Sequence, residues 1–123
     1  MDLKTKKEIY YEWKSLVNMT YSALKTYYNS DDGKTSGLSR EESAKLNIRN
    51  GRASARALLK MIPKGKTFNS ASSNWTRSQW LWALAQIAFI KRMRGVKGPL
   101  YKDFKRTPKL KSLLIWGHNP EWT

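Results

Sequence analysis

Apolar residues recur along this chain at the three- and four-residue intervals of an α-helix, and no stretch alternates regularly enough to suggest a strand. In residues 5–17, Ile9, Trp13, Leu16 and Val17 line one side while Glu8 and Glu12 occupy a wetter one. Thr20 is placed to cap a short helix through Leu24 to Tyr28, which Asn29-Ser30-Asp31-Asp32-Gly33 stops. Ser39 and Glu42 form a capping box, in which hydroxyl and carboxylate satisfy each other's free amides. A helix follows toward Asn47, and Asn50-Gly51 breaks it before a second one to Ile62. Pro63-Lys64-Gly65 ends that helix, and the polar stretch Lys64–Asn74 reads as a mobile loop. Thr76 and Gln79 form another capping box, opening a helix to Arg94 with Gly95 as its stop. Thr107-Pro108 starts a last short helix, proline suiting the first helical position, and Gly117 ends it.

The expected fold is therefore all-α: one domain over residues 1–123, a compact bundle of about five short helices around a central apolar helix, residues 77–94. Between Trp80 and Ile90 only Gln86 is polar, so this helix is apolar nearly all round, as a buried helix should be. Trp80, Trp82 and Phe89 could be imagined as base-stacking platforms, but a chain this small needs large side chains to fill its interior, and we read them as core. The apolar run spans 11 residues, too few to cross a bilayer. No membrane partner is expected, and the start Met1-Asp2-Leu3-Lys4 lacks the apolar stretch of a signal peptide.

Charge changes this picture from a generic bundle to a cationic one. The 123 residues hold 24 Lys+Arg against 9 Asp+Glu, a formal net charge of +15, with 40% hydrophobic and 12% aromatic content. That apolar content is too high for a disordered basic tail. Residues 1–40 carry 7 basic and 5 acidic groups, whereas residues 41–80 carry 8 and 2, and residues 81–123 carry 9 and 2. A chain so charged repels itself unless a polyanion neutralises it, and nucleic acid is the natural polyanion.

Three groups of residues could make such contacts. Lys45, Arg49, Arg52, Arg56 and Lys60 follow at spacings of 4, 3, 4 and 4. On one helix they fall within an arc of about 80°, opposite Ser54, Ala57, Leu58 and Met61. Guanidinium forks suit phosphate oxygens, although the same spacing also describes the solvated face of an amphipathic helix. The second group is the tail of the apolar helix, Lys91, Arg92, Arg94 and Lys97, with Gly95 and Gly98 beside them. Cations there complement the helix dipole, and the glycines permit close backbone approach to phosphate. The third is Lys102, Lys105, Arg106, Lys109 and Lys111 around Tyr101 and Phe104, a mixture of cations and rings also found on single-strand binding surfaces.

Catalytic chemistry has little to work with. There is no cysteine and one histidine, which removes disulfides, thiol nucleophiles, zinc fingers and multi-histidine metal sites. His118 reads as a capped or hydrogen-bonded surface histidine, and Trp116 as a core residue where the chain turns. Gly33-Lys34-Thr35 and Gly65-Lys66-Thr67 mimic the end of a phosphate-binding loop, but the required earlier glycine is replaced by Tyr28 and Lys60. Adjacent carboxylates occur only at Asp31-Asp32 and Glu41-Glu42, a turn and a helix opening. No enzymatic activity, cofactor or small-molecule substrate is expected.

Asn18-Met19-Thr20, Ser36-Gly37-Leu38-Ser39-Arg40, Ile48-Arg49-Asn50-Gly51-Arg52 with Ser54-Ala55-Arg56, Gln86-Ile87-Ala88-Phe89-Ile90 with Arg92-Met93-Arg94-Gly95, Gly98-Pro99-Leu100-Tyr101 and Trp116-Gly117-His118-Asn119-Pro120 together resemble a small family of uncharacterised basic proteins found in tailed bacteriophages and some large viruses. The resemblance covers residues 18–120 and leaves the N-terminal helix outside. It implies a viral setting, in the host cytoplasm or the virion and not secreted, and it implies no catalytic residues.

Two functions are expected from these readings. The first is nucleic-acid binding through backbone phosphates with little sequence specificity, DNA before RNA. The alternative is a virion or connector component, or a module that docks on a phage or host protein. Six tryptophans motivate the alternative, since Trp, Tyr and Arg dominate interface hot spots.

Overall fold

The computed structural model describes residues 3–36, 50–64 and 75–122. Helix α1 (Leu3–Leu16) is followed by α2 (Tyr21–Asn29), the single turn α3 (Asp31–Lys34), α4 (Gly51–Met61), the long α5 (Arg77–Arg94) and α6 (Pro108–Ile115). A two-stranded antiparallel hairpin, β1 (Tyr101–Lys102) and β2 (Lys105–Arg106), separates α5 from α6, and a 3-10 turn (Pro120–Trp122) ends the described chain. The described residues are mostly helical, as the periodicity predicts. The Ser39–Glu42 capping box, the helix toward Asn47, and residues 65–74 lie outside the described residues.

Local chemistry sets the helix starts. Thr20, Asn50, Thr76 and Thr107 each accept a hydrogen bond from the backbone amide three residues on, and Gln79 returns the bond to the Thr76 amide. Ser30 both ends α2 and caps α3, accepting from the Gly33 amide. A side chain at Gly33 could not exist here, because its Cβ would fall 1.8 Å from the Tyr27 carbonyl oxygen. Gly33 therefore sits buried inside a single helical turn packed against the end of α2.

Helices α1 and α5 lie side by side and run in the same direction, with Lys6 over Trp80 and Glu12 meeting Lys91. Tyr10, Trp13, Leu16 and Val17 form the buried side of α1, and Tyr10 goes deeper than the Ile9 of the sequence reading. From α4 come Ala55, Leu58 and Met61, and from α6 Leu110, Leu113, Leu114 and Ile115. Trp75 fills the space between α1, α4 and α5, edge-on to both Trp13 and Trp80 at 4.8 Å, with its indole N–H donated to the Met61 carbonyl. Trp116 is buried and stacks on Phe89 at 4.1 Å.

Three expectations need correction. First, α5 is not apolar to all sides for the sake of burial: Leu81 and Leu84 are 43% and 40% exposed, Ala88 is exposed, and the one polar residue of the run, Gln86, is the fully buried one. Second, His118 is not on the surface; it is 1% exposed. Third, a hairpin exists, too short for its alternation to register in the sequence.

The link between α1 and α2 is sewn to the C-terminal segment. Asn18 donates to the Asn119 carbonyl and accepts from the Asn119 amide, the Met19 amide donates to Gly117, and His118 Nδ1 meets the Leu16 carbonyl at 2.6 Å.

Candidate nucleic-acid interface

The nine cations singled out in the sequence have four different fates. Lys45 and Arg49 lie outside the described residues. Arg52, Arg56 and Lys60 stand on α4, whose buried side is Gly51, Ser54, Ala55, Leu58 and Met61. Arg52 is spent internally: its Nη1 donates to the carbonyls of Tyr28 at 3.1 Å and Gly33 at 2.8 Å, and its guanidinium lies 3.8 Å from the centre of the Tyr28 ring. It therefore ties α4 to α2 and α3 and has little left for a phosphate. Arg56 is exposed and donates to the Tyr28 hydroxyl, whose pKa it lowers. Lys60 is exposed, and with Arg56 it lines an open groove of about 660 Å³ closed by Tyr21, Thr76, Gln79 and Trp82.

The remaining four occupy the other end of α5, which at 18 residues is about 27 Å long. Lys91 pairs with Glu12 at 3.2 Å. Arg92 lies over the Phe89 ring, and Arg94 and Lys97 are exposed. The structure thus separates the α4 cations from the α5 tail instead of joining them on one face.

What joins the α5 tail is the hairpin. Lys109 donates to the Val96 carbonyl at 2.5 Å, and Thr107 donates to the carbonyls of Pro99 and Leu100, so the segment after α5 folds back onto the start of α6. Gly98, at φ +136 with no atom within 4 Å of a would-be Cβ, leaves the backbone open between Lys97 and the hairpin. Arg92, Arg94, Lys97, Lys102 and Lys105 are all exposed in this region. Among the described residues none of the five has an ion-pair partner. Arg106 and Lys111, by contrast, share Asp32, at 2.8 and 3.7 Å, and the Arg106 contact holds the Asp32 carboxyl below its usual pKa.

Arg94 also reaches inward electrostatically. His118 is pushed below its ordinary pKa first by burial and then by the Arg94 charge, while its bond to the Leu16 carbonyl works the other way. Among the described residues its buried Nε2 has no hydrogen-bond partner, which fits a neutral ring. Among the described residues no group of three or more His, Cys, Asp or Glu gathers as a metal site, and no helix is long and apolar enough to cross a membrane.

Lys102 and Lys105 were visible in sequence only as an unspecific mixture of cations and rings. Their placement opposite each other depends on the turn at Asp103-Phe104, which has no glycine to announce it. No protein-family model, curated protein or solved structure matches this chain.

Proposed function

We propose that this protein binds nucleic acid through its backbone phosphates, with little sequence selectivity, in the course of a viral infection. One observation carries the binding reading: Arg92, Arg94, Lys97, Lys102 and Lys105, all from the end of α5 and the hairpin that follows it, are exposed with no ion-pair partner among the described residues. A solubilising surface mixes its signs, whereas this one leaves its cations for an external anion. Arg56 and Lys60 supply a second, separate contact at the far end of α5. The viral setting rests on the family resemblance alone. Titration of the protein onto duplex and single-stranded oligonucleotides at several salt concentrations tests the reading. Affinity for duplex should fall with salt at a slope of about −0.9 per neutralised phosphate. Weak binding at low salt, or a flat salt response, ends it.

A second reading, docking on a phage or host protein, draws on Leu81, Leu84 and Ala88, which form an exposed apolar stripe along α5. A stoichiometric protein partner that survives nuclease treatment and is lost in Leu84→Arg would favour it over the first.

A further inference from the structure

The β1–β2 hairpin breaks three local rules at once. Its two turn residues, Asp103 and Phe104, have φ +53 and +63. A two-residue hairpin turn of this hand is normally built from Asn-Gly or Asp-Gly, because both central residues sit in the left-handed region. Asp103 tolerates that conformation through its short polar side chain, but phenylalanine gains nothing from it. Phe104 is also wholly exposed, at 104%, so the ring contributes nothing to folding. Behind it, Lys102 and Lys105 face each other directly across the two strands, a repulsive arrangement with no acidic partner to either among the described residues.

The hairpin is nonetheless firmly rooted. Thr107 bonds Leu100 through its amide and Pro99 through its hydroxyl. Arg106 is pinned to Asp32 at 2.8 Å, and the Tyr101 hydroxyl donates to Glu121 at 2.6 Å. A rigid base holding a strained, water-exposed ring between two facing cations is unfavourable in the free protein on every count. One ligand offsets the exposed ring and the facing charges together: a molecule that offers an aromatic face and anions on either side of it.

We propose that this hairpin is a stacking prong, with Phe104 laid against an unpaired nucleobase while Lys102 and Lys105 hold the phosphates flanking it. The inference rests on the nucleic-acid reading above and narrows it to strands with accessible bases. A single-stranded chain carries one base and one phosphate in each repeat, which matches a ring flanked by cations. An anionic membrane would also attract lysines around an aromatic tip, but one ring buries too little apolar surface to hold a protein there.

The test compares the full-length protein with Phe104→Ala, Phe104→Trp and Phe104→Gly on an oligothymidine and on a duplex of equal length, at one moderate salt concentration. Phe104→Ala should weaken single-strand binding about 5- to 150-fold, the usual yield of one stacked base. Duplex binding should change by less than about twofold, because phosphate contacts dominate it. Phe104→Trp should bind like the parent. Phe104→Gly carries the sharpest signature: Tm should rise, since glycine adopts φ +63 freely, while single-strand affinity falls. A merely structural residue cannot move the two in opposite directions. Equal single-strand binding by the parent and Phe104→Ala overturns the prong and leaves the nucleic-acid reading standing. Equal loss on both substrates, or Phe104-dependent binding to phosphatidylserine vesicles, also overturns the prong. If the parent binds neither oligonucleotide, the underlying reading fails and takes the prong with it.

Discussion

The indole N–H of Trp13 donates to the side-chain oxygen of Gln86 at 2.8 Å, with both residues buried. Gln86 passes the connection on, its amide donating to the Ser54 hydroxyl at 3.2 Å, so one side chain links α1, α5 and α4 in the middle of the core. A buried amide is stable only where its donors and acceptors are met, and removing one member strands the others.

Replacing Gln86 with methionine, of similar length but apolar, should cost about 1–3 kcal/mol, the penalty of leaving buried polar groups unpaired. Pairing it with Trp13→Phe should cost less than the two single changes together, since the orphaned indole N–H is then gone. Urea unfolding of the two single variants and the double variant measures the coupling. Strict additivity would mean that the hydrogen bond does not carry the effect.

Arg52 and Arg94 should divide stability from binding. Arg52→Ala removes both hydrogen bonds to the Tyr28 and Gly33 carbonyls and the contact with the Tyr28 ring, and should cost about 1–3 kcal/mol while leaving the salt slope unchanged. Arg94→Ala should leave stability nearly intact and reduce the duplex salt slope by about 0.9. Chemical denaturation and binding titrations on the same two preparations check both halves.

His118 makes stability depend on pH in a definite direction. Burial lowers its pKa in the folded protein below the ordinary value of 6.5, so on acidification the unfolded chain takes up this proton first. Stability should therefore fall as pH drops through the unfolded value toward the lower folded one, and below that the loss from this group is complete. Urea midpoints measured from about pH 8 to about pH 5 should decline for the parent protein and decline less for His118→Gln. Identical slopes would place the pH sensitivity elsewhere.

The helix starts were legible because a cap is a conversation between residues three apart. Thr20, Thr76 with Gln79, and Thr107-Pro108 declare themselves in sequence and appear in the structure, while Asn50, read there only as part of a break, turns out to cap α4. What sequence could not reveal depends on distant partners. Arg52 looks like any other member of a cationic row until carbonyls 24 and 19 residues away consume it. Gln86 reads as a blemish in an apolar run because its partners, Trp13 and Ser54, stand on other helices. His118 looks superficial until Leu16, 102 residues earlier, accepts its hydrogen bond. The hairpin was hidden for a different reason: a phenylalanine in the left-handed region defies local preference, and no propensity argument would place it there.

The pairing of α1 with α5 also bears on the order in which the chain is made. Trp13 waits for Gln86, which the ribosome adds 73 residues later. At about 5–20 residues per second, the aromatic side of α1 spends roughly 4–15 s in water before its cover has been translated. During that interval Tyr10 and Trp13 are an uncovered apolar surface on a nascent chain, and a holdase that recognises aromatic segments has its best opportunity there.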